Sequence, residues 1–156
     1  MKKLADALYS ICIAVWVGAM VGVGYVAVPV LFAHLADRAV AGYLGGHMFA
    51  VGGWLGLACG LYLLAYLFAV HRRAALSNPA TCLVAVMLVL GAFGQFVAQP
   101  AIIALRDQVL PLSVMQTPLA GAFARWHALS GALYLLQVLL GFALVLKQQR
   151  GRRDAA

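Results

Sequence analysis

Charged residues divide this chain into long uncharged runs. No Asp, Glu, Lys or Arg occurs in the 30 residues between Asp6 and Asp37, the 33 between Arg38 and Arg72, the 32 between Arg73 and Arg106, or the 21 between Arg125 and Lys147. A helix crosses the hydrocarbon core of a bilayer with about 20 apolar residues, so each run is long enough to cross once. Barrel strands would be shorter and would alternate in polarity, and these runs do not alternate. The expectation is an all-α integral membrane protein. It is a single four-helix transmembrane domain over residues 1–156, with helices near 8–33, 42–70, 80–104 and 120–146.

Composition excludes the other classes. The chain is 65% hydrophobic and 10% charged, where soluble domains carry about 25% charged residues. A net charge of +7 would suggest nucleic acid if the basic residues covered a surface, but they sit in short clusters between apolar runs, as topology signals do. Lys2 and Lys3 precede an apolar stretch too long for a cleaved signal core. Eight of the eleven basic residues lie at the N-terminus, in the second connection (Arg72, Arg73) and in the C-terminal tail (Lys147, Arg150, Arg152, Arg153), leaving Arg38, Arg106 and Arg125 on the other side. The positive-inside rule then puts both termini in the cytoplasm. The longest connection, with Pro111 and Pro118, falls outside.

Counting inward from these boundaries sorts the polar side chains by depth. His127, His47 and Gln99 fall near the outer edge and Gln95 a turn deeper. On the fourth helix His127, Ser130, Tyr134 and Gln137 are spaced 3, 4, 3 and share one face; on the third, Gly91, Gln95 and Gln99 recur every four residues. Lipid offers these groups no partners, so they should turn inward. The expected polar pocket, open on the side opposite the termini, is built from His47, Gln95, Gln99, Arg106, Arg125, His127, Ser130 and Tyr134. Gly18 and Gly22 on the first helix, with Gly52, Gly56 and Gly60 on the second, have the spacing that lets helices approach closely, within one chain or between chains of an oligomer. Cys12, Cys59 and Cys82 lack a CxxC spacing and read as small packing residues.

No catalytic set emerges: there is no Glu, and the Asp residues lie at span ends. The chemistry points to a small scaffold or accessory membrane subunit rather than an enzyme, with the bilayer and another membrane protein or a second copy as partners. No metal or cofactor is expected on that reading. The alternative is a redox protein in which His47 and His127, from different helices at similar depth, hold haem b or copper.

Several segments resemble a known family. Trp16 with Gly18, the run from Pro29 to Phe32, Gln99-Pro100 leading to Leu105-Arg106, and Phe123 to Ser130 through His127 are similar to the bacterial branch of the transmembrane-protein-205-like family, small four-helix membrane proteins of unknown function. The resemblance covers nearly the whole chain. It implies the four-span fold and an inner-membrane location, with Trp16, Gly18, Pro29, Phe32, Pro100, Arg106, His127 and Ser130 as motif positions, and it implies no reaction.

Overall fold

A computed structural model describes residues 2–109 and 114–153. Pro111 lies outside the described residues, as do the side chains of Lys2, Arg152 and Arg153. Four helices are long and apolar enough to cross a membrane. They are α1 (Lys3–His34), α2 (Arg38–His71), α3 (Pro79–Asp107) and α4 (Ala120–Arg153). Among the described residues there is no strand.

Local chemistry sets the helix ends. Asp37 caps α2, its carboxylate accepting from the N–H groups of Ala39 (2.7 Å) and Val40 (3.3 Å), which satisfies donors that the first turn leaves orphaned. Asn78 caps α3 in the same way through Ala80 N–H at 2.9 Å, with Pro79 in the first turn, where a missing N–H costs nothing. Arg72 ends α2 at φ 47°, and a short 3-10 turn, Arg72–Ser77, carries the chain back into α3.

The helices run up, down, up, down. Each packs on the next and α4 returns to α1, closing a four-membered ring. Trp16, 2% exposed, fills the middle of the bundle with Ile13, Leu63, Val84, Met87 and Leu144. The indole lies against Gly56 and Gly60 of α2. Only 22–28% of the apolar window of each helix is buried inside, and residues such as Val51, Leu61 and Val89 point outward. An apolar outer surface of that extent is what a lipid-facing bundle presents.

Both odd-numbered helices widen into π-helical turns, Gly22–Ala27 in α1 and Gly94–Ala98 in α3. Each is followed at once by a proline in the next turn, Pro29 or Pro100. Proline has no N–H for the carbonyl four residues back, and a wider turn is one way for a helix to pass the gap. The flanking sequences match: Tyr25-Val26-Ala27-Val28-Pro29 against Phe96-Val97-Ala98-Gln99-Pro100. Two helices of the same direction therefore share a local repeat at the same level of the bundle.

Candidate functional site

The polar side chains gather at three levels. At the end away from the termini, Gln99 of α3 donates through Nε2 to the carbonyl of Gly46 on α2 at 2.9 Å. One turn deeper, the Gln95 amide rests directly against Gly53 of α2, in space that any side chain there would occupy. Toward the helix end, the Arg106 guanidinium lies 5.1 Å over the Tyr43 ring and its Nε is 3.2 Å from Asp107. Tyr43 in turn packs on His47, ring centroids 4.4 Å apart. Gln95, Gln99 and Arg106 thus follow the α2–α3 seam, and His47 adjoins Arg106 only through the Tyr43 ring.

The remaining expected residues belong to α4. The imidazole of His127 stacks on Phe123 one turn earlier, 5.8 Å between centroids and 9° between planes. The Ser130 hydroxyl donates to the His127 carbonyl at 3.0 Å. Arg125 borders a shallow depression shared with Ala122, Trp126 and Leu129. Tyr134 reaches across to α1, donating to the Met20 carbonyl at 2.7 Å, and meets Phe49 of α2 edge-on at 5.1 Å. That edge contact is where the α2 and α4 groups approach each other.

The two histidines are placed differently. His47 Nδ1 lies 3.0 Å from the Tyr43 carbonyl of its own helix; in the tautomer that donates there, Nε2 is left as the nitrogen that could ligate. Two residues further on, Phe49 faces the interior toward Tyr134, and two residues turn a helix by about 200°, so His47 projects from the other side of α2. His127 is exposed on α4. Among the described residues no group of three or more His, Cys, Asp or Glu side chains is placed to hold a metal ion.

The glycines divide into two sets. A methyl group on Gly56 would meet the Trp16 indole, and one on Gly60 would come within 2.6 Å of Leu88 and 2.8 Å of Trp16. A methyl on Gly18, Gly22 or Gly52 would meet nothing within 4 Å.

Gln137, on the α4 face expected to turn inward, is 8% exposed and donates to the Met87 carbonyl of α3 at 3.1 Å, beside Gly91. One group escaped sequence reasoning. At the end that holds the termini, Tyr66 donates a hydrogen bond to the Asp6 carboxylate, Tyr62 donates to the Ala5 carbonyl at 3.1 Å, and Gln148 donates to Ser10 Oγ at 2.7 Å. Tyr9 stacks on Tyr66 at 4.6 Å. The signal for this cluster was present: Tyr62 and Tyr66 are one turn apart near the Arg72 end of α2, and Asp6 and Tyr9 sit near the start of α1 at the same end of the bundle.

The fold and these bonds define a class: a bundle of four helices able to cross a membrane, pinned by side chains that donate to carbonyls of neighbouring helices. The chain belongs to the family described as a domain of unknown function, DUF4149, whose model matches residues 11–111. No curated protein and no solved structure matches it.

Proposed function

We propose that this chain is a multi-pass protein of a bacterial inner membrane, both termini cytoplasmic, that serves as a small scaffold or accessory subunit for another membrane component. The observation that carries the reading is how the interior polar groups are used. Gln99, Tyr134 and Gln137 each donate to a backbone carbonyl on an adjacent helix, and such bonds hold helices in register inside lipid. The orientation rests on the basic clusters at the end holding the termini, Arg72 and Arg73 included. The finer kinship, with the transmembrane-protein-205-like proteins, is part of the same reading, and so is a pocket facing the periplasm along the α2–α3 seam and the outer turns of α4.

Photo-crosslinking groups at exposed Trp54, Leu61 and Phe142, read in intact membranes, test it. A discrete protein adduct from one face supports the scaffold; labelling of lipid alone from all three sites removes it. The same purification reads the rival. A Soret band or stoichiometric copper, lost in both His47→Ala and His127→Ala, would replace the scaffold with a redox protein.

A further inference from the structure

The turn Arg72–Ser77 joins α2 to α3 at the end that holds the termini, and it is fixed in place. Ala75 is buried against the bundle, its carbonyl accepts from Asn78 N–H at 3.1 Å, and the Leu76 carbonyl accepts from the Cys82 thiol at 3.8 Å. The helix that follows runs for 29 residues, about 43 Å at 1.5 Å per residue. Hydrocarbon and headgroup layers together measure about 40–45 Å, so the turn stands at headgroup depth.

Arg72 is the anomaly of this turn. Its φ of 47° and ψ of −119° lie in a part of backbone space that glycine enters freely and other residues enter at a cost. Among the described residues it is the one non-glycine with positive φ. Nothing inside the chain offsets that cost. The side chain is exposed, and among the described residues it makes no hydrogen bond or ion pair; the one ion pair joins Arg106 to Asp107 at the opposite end. Arg73 and Lys3 are exposed in the same way, Lys3 on the helix whose first turns are bonded to α2 through Tyr62 and Tyr66. Asp6, the one acid among the described residues at this end, already accepts from Tyr66. Leu76 and Leu4 stand beside these cations, 73% and 66% exposed. Cations with bare leucines among them suit the boundary between phosphates and acyl chains.

We propose that the Arg72–Ser77 turn is a docking site for an anionic phospholipid, Arg72 and Arg73 donating to its phosphate oxygens and Leu76 entering the acyl layer beside it. The strain at Arg72 is then offset by a partner outside the chain. Guanidinium groups pair with phosphate through two parallel hydrogen bonds, and Lys3 on the adjoining helix adds to the attraction. A topology signal asks for less than this. Charge that only orients the chain during insertion needs neither a fixed turn nor a strained backbone.

The test uses the full chain in nanodiscs of phosphatidylcholine, alone or mixed with phosphatidylglycerol. Native mass spectrometry counts the lipids retained on the released protein, and a heating curve gives the midpoint in each disc. The wild type should retain phosphatidylglycerol over phosphatidylcholine and melt higher in the mixed discs. Arg72→Gly and Arg73→Gln should each lower that preference by about fivefold, the worth of one cation near an anionic surface, while Arg38→Gln at the opposite end leaves it unchanged. In phosphatidylcholine alone Arg72→Gly should melt at or above the wild type, because the strain is relieved and no anionic partner is lost. A lower midpoint there shows that the arginine works inside the chain and overturns the proposal. Equal retention of the two lipids by the wild type gives the basic turn to an acidic protein instead and overturns it as well, and so does a preference that both variants keep. Should Arg72→Gly fail to fold, Arg73→Gln reads the same preference.

Discussion

The Tyr134 hydroxyl on α4 donates to the Met20 carbonyl on α1 at 2.7 Å, and its ring lies over Gly24, where an added Cβ would come within 2.5 Å of Cε1. The bond and the vacancy depend on each other, because the ring cannot swing aside without giving up its acceptor. Gly24→Ala therefore forces either a displaced tyrosine or a separated helix pair, and overpacking of this kind costs about 1–3 kcal/mol. Tyr134→Phe removes only the hydroxyl, and a hydrogen bond between membrane helices is worth about 0.6 kcal/mol on average. Unfolding titrations in mixed micelles should show the larger loss for Gly24→Ala. The reverse order would mean that the hydroxyl, not the ring, holds α1.

The divided glycines make a prediction of opposite signs. Gly60→Ala places a methyl against Leu88 and Trp16 and should destabilise the chain by about 1–3 kcal/mol. Gly52→Ala meets open space and replaces the residue with the costliest helix entropy, so stability should hold or rise by up to about 1 kcal/mol. Crosslinking of the Gly52 variant adds a second reading. If stability holds while copies of the chain no longer crosslink, that face packs between chains.

Among the described residues Thr81 Oγ1 is the one buried side-chain polar atom without a hydrogen-bond partner, in a residue 3% exposed near the start of α3. A buried hydroxyl left unsatisfied costs about 1–3 kcal/mol, and valine has nearly the same shape. Thr81→Val should thus raise the thermal midpoint in mild detergent. A fall would show that the hydroxyl finds a partner in the membrane.

The four helices were legible because charge punctuates the chain and hydrocarbon thickness sets how long an uncharged run must be. The order along the helices was legible as well: Gln99 and Gln95 face Gly46 and Gly53 of α2 two turns apart, in the sequence the spacing suggests. Azimuth was not. His47 and Phe49 are neighbours in depth yet point to different sides of α2, and only packing against α1, α3 and α4 decides which side is interior. Register was equally hidden, since nothing in an apolar pattern says that Tyr134 meets Met20 or that Trp16 meets Gly56. The widening of the turns before Pro29 and Pro100 and their matching sequences emerged only when α1 and α3 were seen at the same level.

That tyrosine cluster fastens the first turns of α1. Tyr66 bonds the Asp6 carboxylate and Tyr62 bonds the Ala5 carbonyl, both from α2, while Gln148 reaches Ser10 from α4. Helix ends open more easily than cores, so the amides of residues 5–10 should exchange slowly only while these bonds hold them. Each hydrogen bond contributes about 1 kcal/mol, and one to a carboxylate more. Tyr62→Phe with Tyr66→Phe should then speed exchange at residues 5–10 by roughly tenfold or more. The amides of Val28–His34, which pack on α2 at the opposite end, serve as the internal control and should not change. Acceleration along the whole of α1 would show that the cluster holds the helix as a unit, and no acceleration would show that lipid contacts alone keep the terminus folded.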